Sequence, residues 1–460
     1  MDPLRPSRPD PEALVRWDRE HLWHPFTQMR DWVAAEPIVI AEGEGSFLID
    51  THGRRWLDGV GSMWTNVHGH RKRELDLALK AQIDRIAHST LLGLSGEQPI
   101  LLARRLAQVA PKGLTRVFYS DNGSTAVEVA LKMAFQYWGH RGQPQRRRFV
   151  RMRESYHGDT LGAVSVGGID LFHATFRPLL FDSIGAPNPY ELRPTCGETP
   201  GRCTSGCIRA LEKIFAEHGR EIAAFLIEPR VQGAGGFLMH GPEYIAAARR
   251  ICDEHGTLLI ADEVATGFGK TGPMWACDSA GVRPDLLCTA KGLTAGYLPL
   301  AATLATEEIY EAFLGPYEAM KTFFHGHTFT GNPLACAVAL ASMDLFESEK
   351  ILERSVGKIA RLAKRLTEVA AHPHVAEVRQ TGFMVGIECA PAKPDGVTPP
   401  PAYPWEKKIG FNACIAARDR GVFLRPLGNV VVLNPPMSIS EDEIDQLVDA
   451  ALHGIEVATA

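Results

Sequence analysis

A lysine that ends one apolar run and a carboxylate that ends another are the residues of this chain best suited to do chemistry together. Leu258 to Gly267 reads LLIADEVATG, and Leu286 to Gly296 reads LLCTAKGLTAG. Each is a short strand of buried type, the first running into Asp262 and Glu263, the second into Lys291. Strand exits are where open α/β sheets bind ligands. Asp262 and Lys291 lie 29 residues apart, about one αβ excursion, so neighbouring strands can bring them together. An amine among apolar neighbours has a lowered pKa, as imine formation requires. A carboxylate beside a pyridine nitrogen would keep that ring protonated and make it an electron sink. A lysine at a strand end is otherwise an ordinary solvated residue; its company is what sets Lys291 apart.

Three further pieces could complete such a site. Ser120 to Glu128 (SDNGSTAVE) takes a strand into a helix. Gly123 permits a tight turn, Ser124 and Thr125 offer hydroxyls, and the free N–H groups of a helix start favour a phosphate. Alone, the same residues would be no more than a well-capped helix. Ser155-Tyr156-His157-Gly158-Asp159 sets an aromatic just after a strand, where it can stack on a flat ring. In Phe225 to Gly236 (FLIEPRVQGAGG), Glu228 ends a strand and the glycines let a loop approach a ligand. Those glycines do not make GxGxxG, which removes the main support for a dinucleotide fold.

The elements that must position these residues are strands and helices in alternation. Thr115 to Tyr119, Arg148 to Met152, Ala223 to Ile227, Leu258 to Ala261 and Leu286 to Thr289 read as strands; Ser124 to Trp138 and Pro242 to His255 read as helices. That alternation predicts an α/β fold with a mostly parallel sheet covered on both faces. Glycines at 43, 45 and 53 split a small meander, and Leu75 to Ile86 and Glu97 to Val109 carry helical spacing. Beyond Asn332-Pro333 one long helical stretch is expected to Ala371, then strands at Phe383 to Glu388 and Val430 to Leu433, and a last helix from Ser440. The first ~15 residues read as a loose arm, Trp23 to Arg30 as a segment packed on something, and Ala390 to Pro404 as an exposed Pro-rich loop. The expected division is an arm and part of a small domain over 1–70, a large domain over 71–333, and the rest of the small domain over 334–460.

Composition excludes several classes. Of 460 residues 45% are hydrophobic and 22% charged, and the net charge is −5. This is a globular composition without the electrostatic footprint of a nucleic-acid or membrane-surface binder, and the basic run Arg146 to Arg148 reads as a solvated face. No stretch approaches the ~18 apolar residues of a spanning helix, and the opening lacks a signal-type apolar core. Nine cysteines are too few for a disulfide scaffold. Cys252, Cys277, Cys288, Cys336, Cys389 and Cys414 read as reduced core thiols of a cytoplasmic protein. Cys196, Cys203 and Cys207 form C-x6-C-x3-C in a Gly/Pro-rich loop; a zinc clip there would need a fourth ligand from elsewhere, so solvated thiols and no metal are expected. The His-Gly-His triplets at 68–70 and 325–327 lack helical ligand spacing.

Asp262-Glu263-Val264, Lys291-Gly292, Asn122-Gly123-Ser124, Tyr156-His157-Gly158 and Thr328 to Pro333 (TFTGNP) stand in the order of the class III aminotransferases, which the chain resembles over nearly its whole length. The resemblance implies a pyridoxal 5'-phosphate enzyme of fold type I, with a large sheet domain and a smaller α/β domain built from both termini. HLWHPFTQM (His21 to Met29), Met63 to His70, Lys132 to Trp138 and Leu424 to Gly428 look like the branch that aminates 7-keto-8-aminopelargonate in biotin synthesis. By that resemblance Lys291 would form the imine that anchors the cofactor and then shuttle the proton. Asp262 would meet the ring nitrogen, Val264 and Tyr156 would sandwich the ring, and Glu228 and Gln232 would support its hydroxyl. Gly123 and Ser124 would hold the phosphate, and Thr328 would reach it from the second subunit of a homodimer. Trp64 would line the substrate pocket, and Arg425 would clamp the substrate carboxylate.

Three positions depart from the form that uses S-adenosylmethionine as amino donor: Phe26 for Tyr, Lys270 for Arg, and His327 for Pro. All three are expected where the donor binds, and the surrounding runs look closer to a lysine-using branch. Rival readings are another class III transaminase with pyruvate or 2-oxoglutarate as acceptor, an isomerase of the same fold, and a binding protein that kept the scaffold with an inert Lys291.

Overall fold

The computed structural model describes residues 9–199, 201–394, 398 and 400–460. Its centre is a seven-stranded sheet of β1 (Leu114–Ser120), β2 (Arg148–Met152), β3 (Ile184–Ala186), β4 (Ile222–Ile227), β5 (Leu258–Asp262), β6 (Leu286–Thr289) and β7 (Ala301–Thr306). The spatial order is β1-β7-β6-β5-β4-β2-β3. Only β7 runs against the rest, pairing antiparallel with both β6 and β1. β4, β5, β6 and β7 are buried along their whole length, which is why they are apolar without alternation.

Helices cover the faces. α1 (Gly123–His140) starts from a reciprocal cap, in which the Thr125 N–H donates to the Asn122 side chain and the Asn122 N–H to the Thr125 hydroxyl. Ala126, Val127, Ala130 and Ala134 then bury one face of α1 against the sheet. α2 (Cys203–His218) and α3 (Pro242–Glu254) pack with Phe225, Ile227 and Leu259 in a second apolar cluster. The fold is α/β with a mostly parallel sheet, as the alternation predicts.

The two ends of the chain meet. Ile40–Glu44, Phe47–Asp50 and Arg55–Asp58 form the antiparallel meander, and Val422–Phe423 from far along the chain pairs parallel to its last strand. A second four-stranded sheet holds Val375–Thr381, Met384–Cys389, Arg425–Leu427 and Val430–Leu433. The smaller α/β part is therefore assembled from both termini.

Several expectations need correction. Pro11–His21, which begins inside the segment read as loose, is a helix with no buried residue; residues 1–8 lie outside the described residues. Trp23 stands 87% exposed in the single chain instead of packed. The long stretch to Ala371 is two helices, Pro333–Ser348 and Ile351–Ala371, broken where Lys350 takes φ +50°. Part of the Pro-rich stretch, residues 395–397 and 399, lies outside the described residues. All nine cysteines are free, and among the described residues no helix is long and apolar enough to cross a membrane.

Candidate active site

β5 and β6 are adjacent and parallel, with Asp262 opposite Cys288, so their exits open into one cleft of about 430 Å³. Trp64, Gly123, Ser124, Tyr156, Asp262, Val264 and Lys291 all line it, as does Glu228. Residues separated by more than two hundred positions are thus gathered as the strand-exit reading predicts.

Lys291 takes φ +41° at the end of β6, and its Nζ lies 4.9 Å from the centre of the Trp64 ring. Burial drives its ammonium below the ordinary lysine value; the charges of Asp262 and Glu228 oppose that shift. The outcome favours a neutral amine, the nucleophilic form. Asp262 is held from two sides: its Oδ1 accepts the Val264 N–H at 3.0 Å, and its Oδ2 lies 2.7 Å from His157 Nδ1. His157 was part of a motif in the sequence reading, with no role of its own. Here it is buried, its Nε2 has no partner among the described residues, and it fixes the carboxylate's orientation.

Glu228 accepts the Tyr156 N–H at 3.0 Å and the Gly233 N–H at 2.9 Å, and complete burial pushes its carboxyl up to about 7. It thereby ties the Tyr156 loop to the glycine loop after β4. Gln232 does not line the cleft; it donates to the Arg153 carbonyl at 2.7 Å. Glu263, expected at the strand exit with Asp262, turns away, accepting the Ala276 and Cys277 N–H groups and the Thr266 hydroxyl. Only one of the two adjacent carboxylates serves the cleft.

The phosphate-type turn is closely fitted. A Cβ on Gly123 would stand 2.5 Å from Val264 Cγ1, and one on Gly158, at φ +118°, would stand 1.9 Å from Ser124 Oγ. These two glycines let the start of α1, the Tyr156 loop and the strand exit converge. Tyr156 anchors itself by donating to Asp159 at 2.7 Å.

Trp64 reaches the cleft through a device that no sequence signal announced. Gly61, Ser62, Met63 and Trp64 all have positive φ, from +45° to +70°, a turn of left-handed helix. Asp58 clamps it, accepting from the Ser62 N–H at 3.0 Å and the Ser62 hydroxyl at 2.8 Å. Arg425 lies beside this turn, its Nη1 3.5 Å from Met63 Sδ, outside the cleft lining.

The remaining expected contacts do not line the cleft. Phe26 is 56% exposed, though its ring meets Phe172, which in turn meets Tyr156. His327 Nδ1 lies 2.7 Å from Asp121, a lining residue, while the neighbouring Thr328 is exposed. Lys270 is the clearest departure. It is fully buried, and its Nζ donates to the Asn66 and Pro435 carbonyls, both at 2.9 Å. It joins the two terminal parts and does not line the cleft.

Burial brings the Lys270 ammonium down to about 7, with Asp58 opposing. Between that value and the unfolded lysine near 10.5 the unfolded chain holds the extra proton, so this residue makes stability rise with pH across that window. Lys270→Met removes the titration and leaves two carbonyls unpaired, at about 1–3 kcal/mol each. The melting-temperature deficit of the variant is expected to widen from pH 7 to pH 10; parallel profiles would contradict the buried titration.

The residues fit pyridoxal phosphate as a donor set. Free N–H groups at the start of α1 suit a phosphate, a carboxylate suits a ring nitrogen, an aromatic suits a ring face and a buried amine suits an aldehyde. The cleft volume is in the range of small-molecule sites.

Comparison with known proteins agrees. The profile of the family described as aminotransferase class-III matches residues 29–455. The adenosylmethionine-8-amino-7-oxononanoate aminotransferase of Geobacter sulfurreducens is 55% identical over 98% of this chain and 99% of its own. The crystal structure of the enzyme of that name from Methanocaldococcus jannaschii superimposes with TM-score 0.92 at 43% identity, covering 98% of this chain and all of that one. An (S)-enantioselective omega-transaminase from Thermomicrobium roseum also reaches 0.92, at 34% identity, over 99% of this chain and 100% of that one. A lysine and a carboxylate at adjacent strand exits, on a fold shared end to end with such relatives, make this chain a member of the pyridoxal-phosphate-dependent class III aminotransferases.

Proposed function

We propose that the chain transfers an amino group to 8-amino-7-oxononanoate (7-keto-8-aminopelargonate), giving 7,8-diaminopelargonate in biotin biosynthesis. The observation that carries this substrate is the end-to-end similarity, at 55% identity, to a relative whose described activity is that one. The amino donor in this reading is S-adenosyl-L-methionine, as that relative's name states, with L-lysine the alternative suggested by Phe26 and His327.

Pyridoxal phosphate supplies, when bound, an aldehyde that carries the amino group and a ring that accepts electron density. Gly123 and Ser124 would hold its phosphate at the start of α1, and in a homodimer Thr328 of the second subunit would complete that site. Asp262 would keep a proton on the ring nitrogen, while Val264 and Tyr156 would cover the two faces. Lys291 would hold the aldehyde carbon through its amine and would move the proton at the reacting carbon as general base and acid. Donor and keto acid visit the same cleft in turn, with Trp64 closing one side and Arg425 pairing with the substrate carboxylate.

A homodimer with shared sites is part of the reading. Trp23, Leu92, Tyr317 and Phe324 stand exposed in the single chain, and a second subunit could cover them. Nine unpaired cysteines support a cytoplasmic setting.

The test mixes holoenzyme, without keto acid, separately with S-adenosylmethionine and with L-lysine while following the cofactor's visible absorbance. Bleaching by S-adenosylmethionine is expected, and it would show that Phe26 and His327 are tolerated. Bleaching by lysine alone would give the donor to lysine and make those two residues its candidate determinants. No bleaching by either would move the chain to the second reading, an omega-amino acid transaminase using pyruvate or 2-oxoglutarate. That reading is favoured by the equal structural match to the Thermomicrobium roseum enzyme.

A further inference from the structure

Three cysteines that the cleft does not use come together in the loop before α2 and in its first turns. They were expected to be solvated. Instead Cys203 and Cys207 are completely buried and Cys196 is half-buried. The Cys196 and Cys203 sulfurs are 3.4 Å apart, those of Cys203 and Cys207 3.5 Å, and all three lie within 4.8 Å of one another. A tetrahedral zinc with bonds of about 2.3 Å to sulfur sets its sulfurs about 3.8 Å apart. The triangle is close to one face of such a site.

A fourth corner is present. The Asn188 carbonyl oxygen lies 3.7 Å from the Cys203 sulfur and 3.3 Å from that of Cys207. The sulfur–oxygen edge of a tetrahedral zinc site is about 3.6 Å. That oxygen, fifteen residues before Cys203 and also accepting the Tyr190 N–H at 2.9 Å, offers the fourth position that the spacing alone did not supply.

The surroundings are built to hold this arrangement. Cys203 and Cys207 lie one helical turn apart at the start of α2, where the helix end favours a thiolate. Glu191 pins that start by accepting the N–H groups of Cys203 and Thr204, both at 2.9 Å. Thr195 donates to the Asn188 side chain at 2.9 Å, closing the loop on itself. A Cβ on Gly206 would stand 3.0 Å from Cys196 Sγ and 2.3 Å from Glu198 Cγ, so a glycine here is what lets Cys196 reach the helix. On the far side the Tyr244 hydroxyl is buried without a partner among the described residues. A disulfide explains the cluster less well, because it would leave one of three sulfurs over and no role for the carbonyl.

We propose that Cys196, Cys203 and Cys207, with the Asn188 carbonyl, form a structural zinc site. The metal would staple the loop running from Asn188 to the first turn of α2. Arg193 of that loop donates to Glu388 at 2.8 Å, so the staple also orders a contact between the large sheet and the C-terminal strands. Cys196, half-buried, is the side from which the ion enters.

Holoenzyme purified under reducing conditions and freed of loose metal by gel filtration is assayed for zinc. About one zinc per chain is expected, lost at least about tenfold in Cys203→Ser and Cys207→Ser and kept in Cys414→Ser. Should the serine variants fail to fold, cobalt exchanged into the wild-type protein is the second measurement. Visible d–d bands of tetrahedral thiolate strength, abolished by one equivalent of zinc, are expected. The proposal is overturned if reduced wild-type protein holds no zinc and takes none up from a zinc-buffered solution. It is equally overturned if Cys203→Ser keeps the metal, or if mass analysis of the native protein finds a disulfide among the three.

Discussion

Lys291→Ala is expected to lower turnover of either donor by at least about 10³-fold, because in the proposed reaction one side chain would supply both the anchoring amine and the proton-transfer group. The cofactor should still bind through its phosphate, and its visible spectrum should shift to that of the free aldehyde. A small exogenous amine should restore part of the rate, since the gap at Lys291 opens directly into the cleft beside Trp64. The measurement is single-turnover absorbance with and without such an amine. A variant that keeps a tenth of the wild-type rate would remove Lys291 from the chemistry and revive the reading of a scaffold that binds without catalysing.

The second large effect belongs to Asp262. Asp262→Asn keeps the shape and can still accept the Val264 N–H, but it loses the negative charge that would hold a proton on a ring nitrogen. Turnover should fall about 10²- to 10³-fold, with donor binding nearly unchanged, as expected when an interaction matters most in the transition state. His157→Phe should give a smaller loss in the same sense, because it removes the partner 2.7 Å from the carboxylate and leaves the charge in place. Rates for both variants with one donor, split into kcat and KM, check this; a change confined to KM would show that Asp262 serves binding alone.

The parts of the fold that were legible are those where hydrophobic pattern and burial coincide. β5 and β6 are buried on both faces and read as unbroken apolar runs ending in the reactive residues, so the strands and the site came from the same signal. β7 was missed although it is equally buried. Its sequence, AATLAT, is half alanine, with no aromatic residue, valine or isoleucine, so it lacks the apolar bulk that marks a buried strand. As the antiparallel member, it is also absent from the pattern of strands alternating with helices. At the site, Asp262 and Lys291 were legible because strand exits are predictable places. The turned-away Glu263 was not, because its destination depends on the backbone of residues 276–277, which pattern alone cannot fold into position. Lys270 was placed near the donor by resemblance alone, and only tertiary contacts show two carbonyls enclosing the amine.

The left-handed turn at Gly61–Trp64 bears on how this cleft can change over generations. Each non-glycine residue at positive φ costs on the order of 1–3 kcal/mol unless its surroundings hold it there, and this turn contains three in succession. The indole that borders the amine is therefore held under tension by Asp58, a residue outside the cleft lining. Loosening that clamp would let the backbone relax and swing the indole, changing the width of the pocket without touching any group that reacts. A lineage on this scaffold can thus drift toward bulkier or smaller amines from behind the catalytic wall, leaving Lys291 and Asp262 untouched while the range of accepted molecules moves.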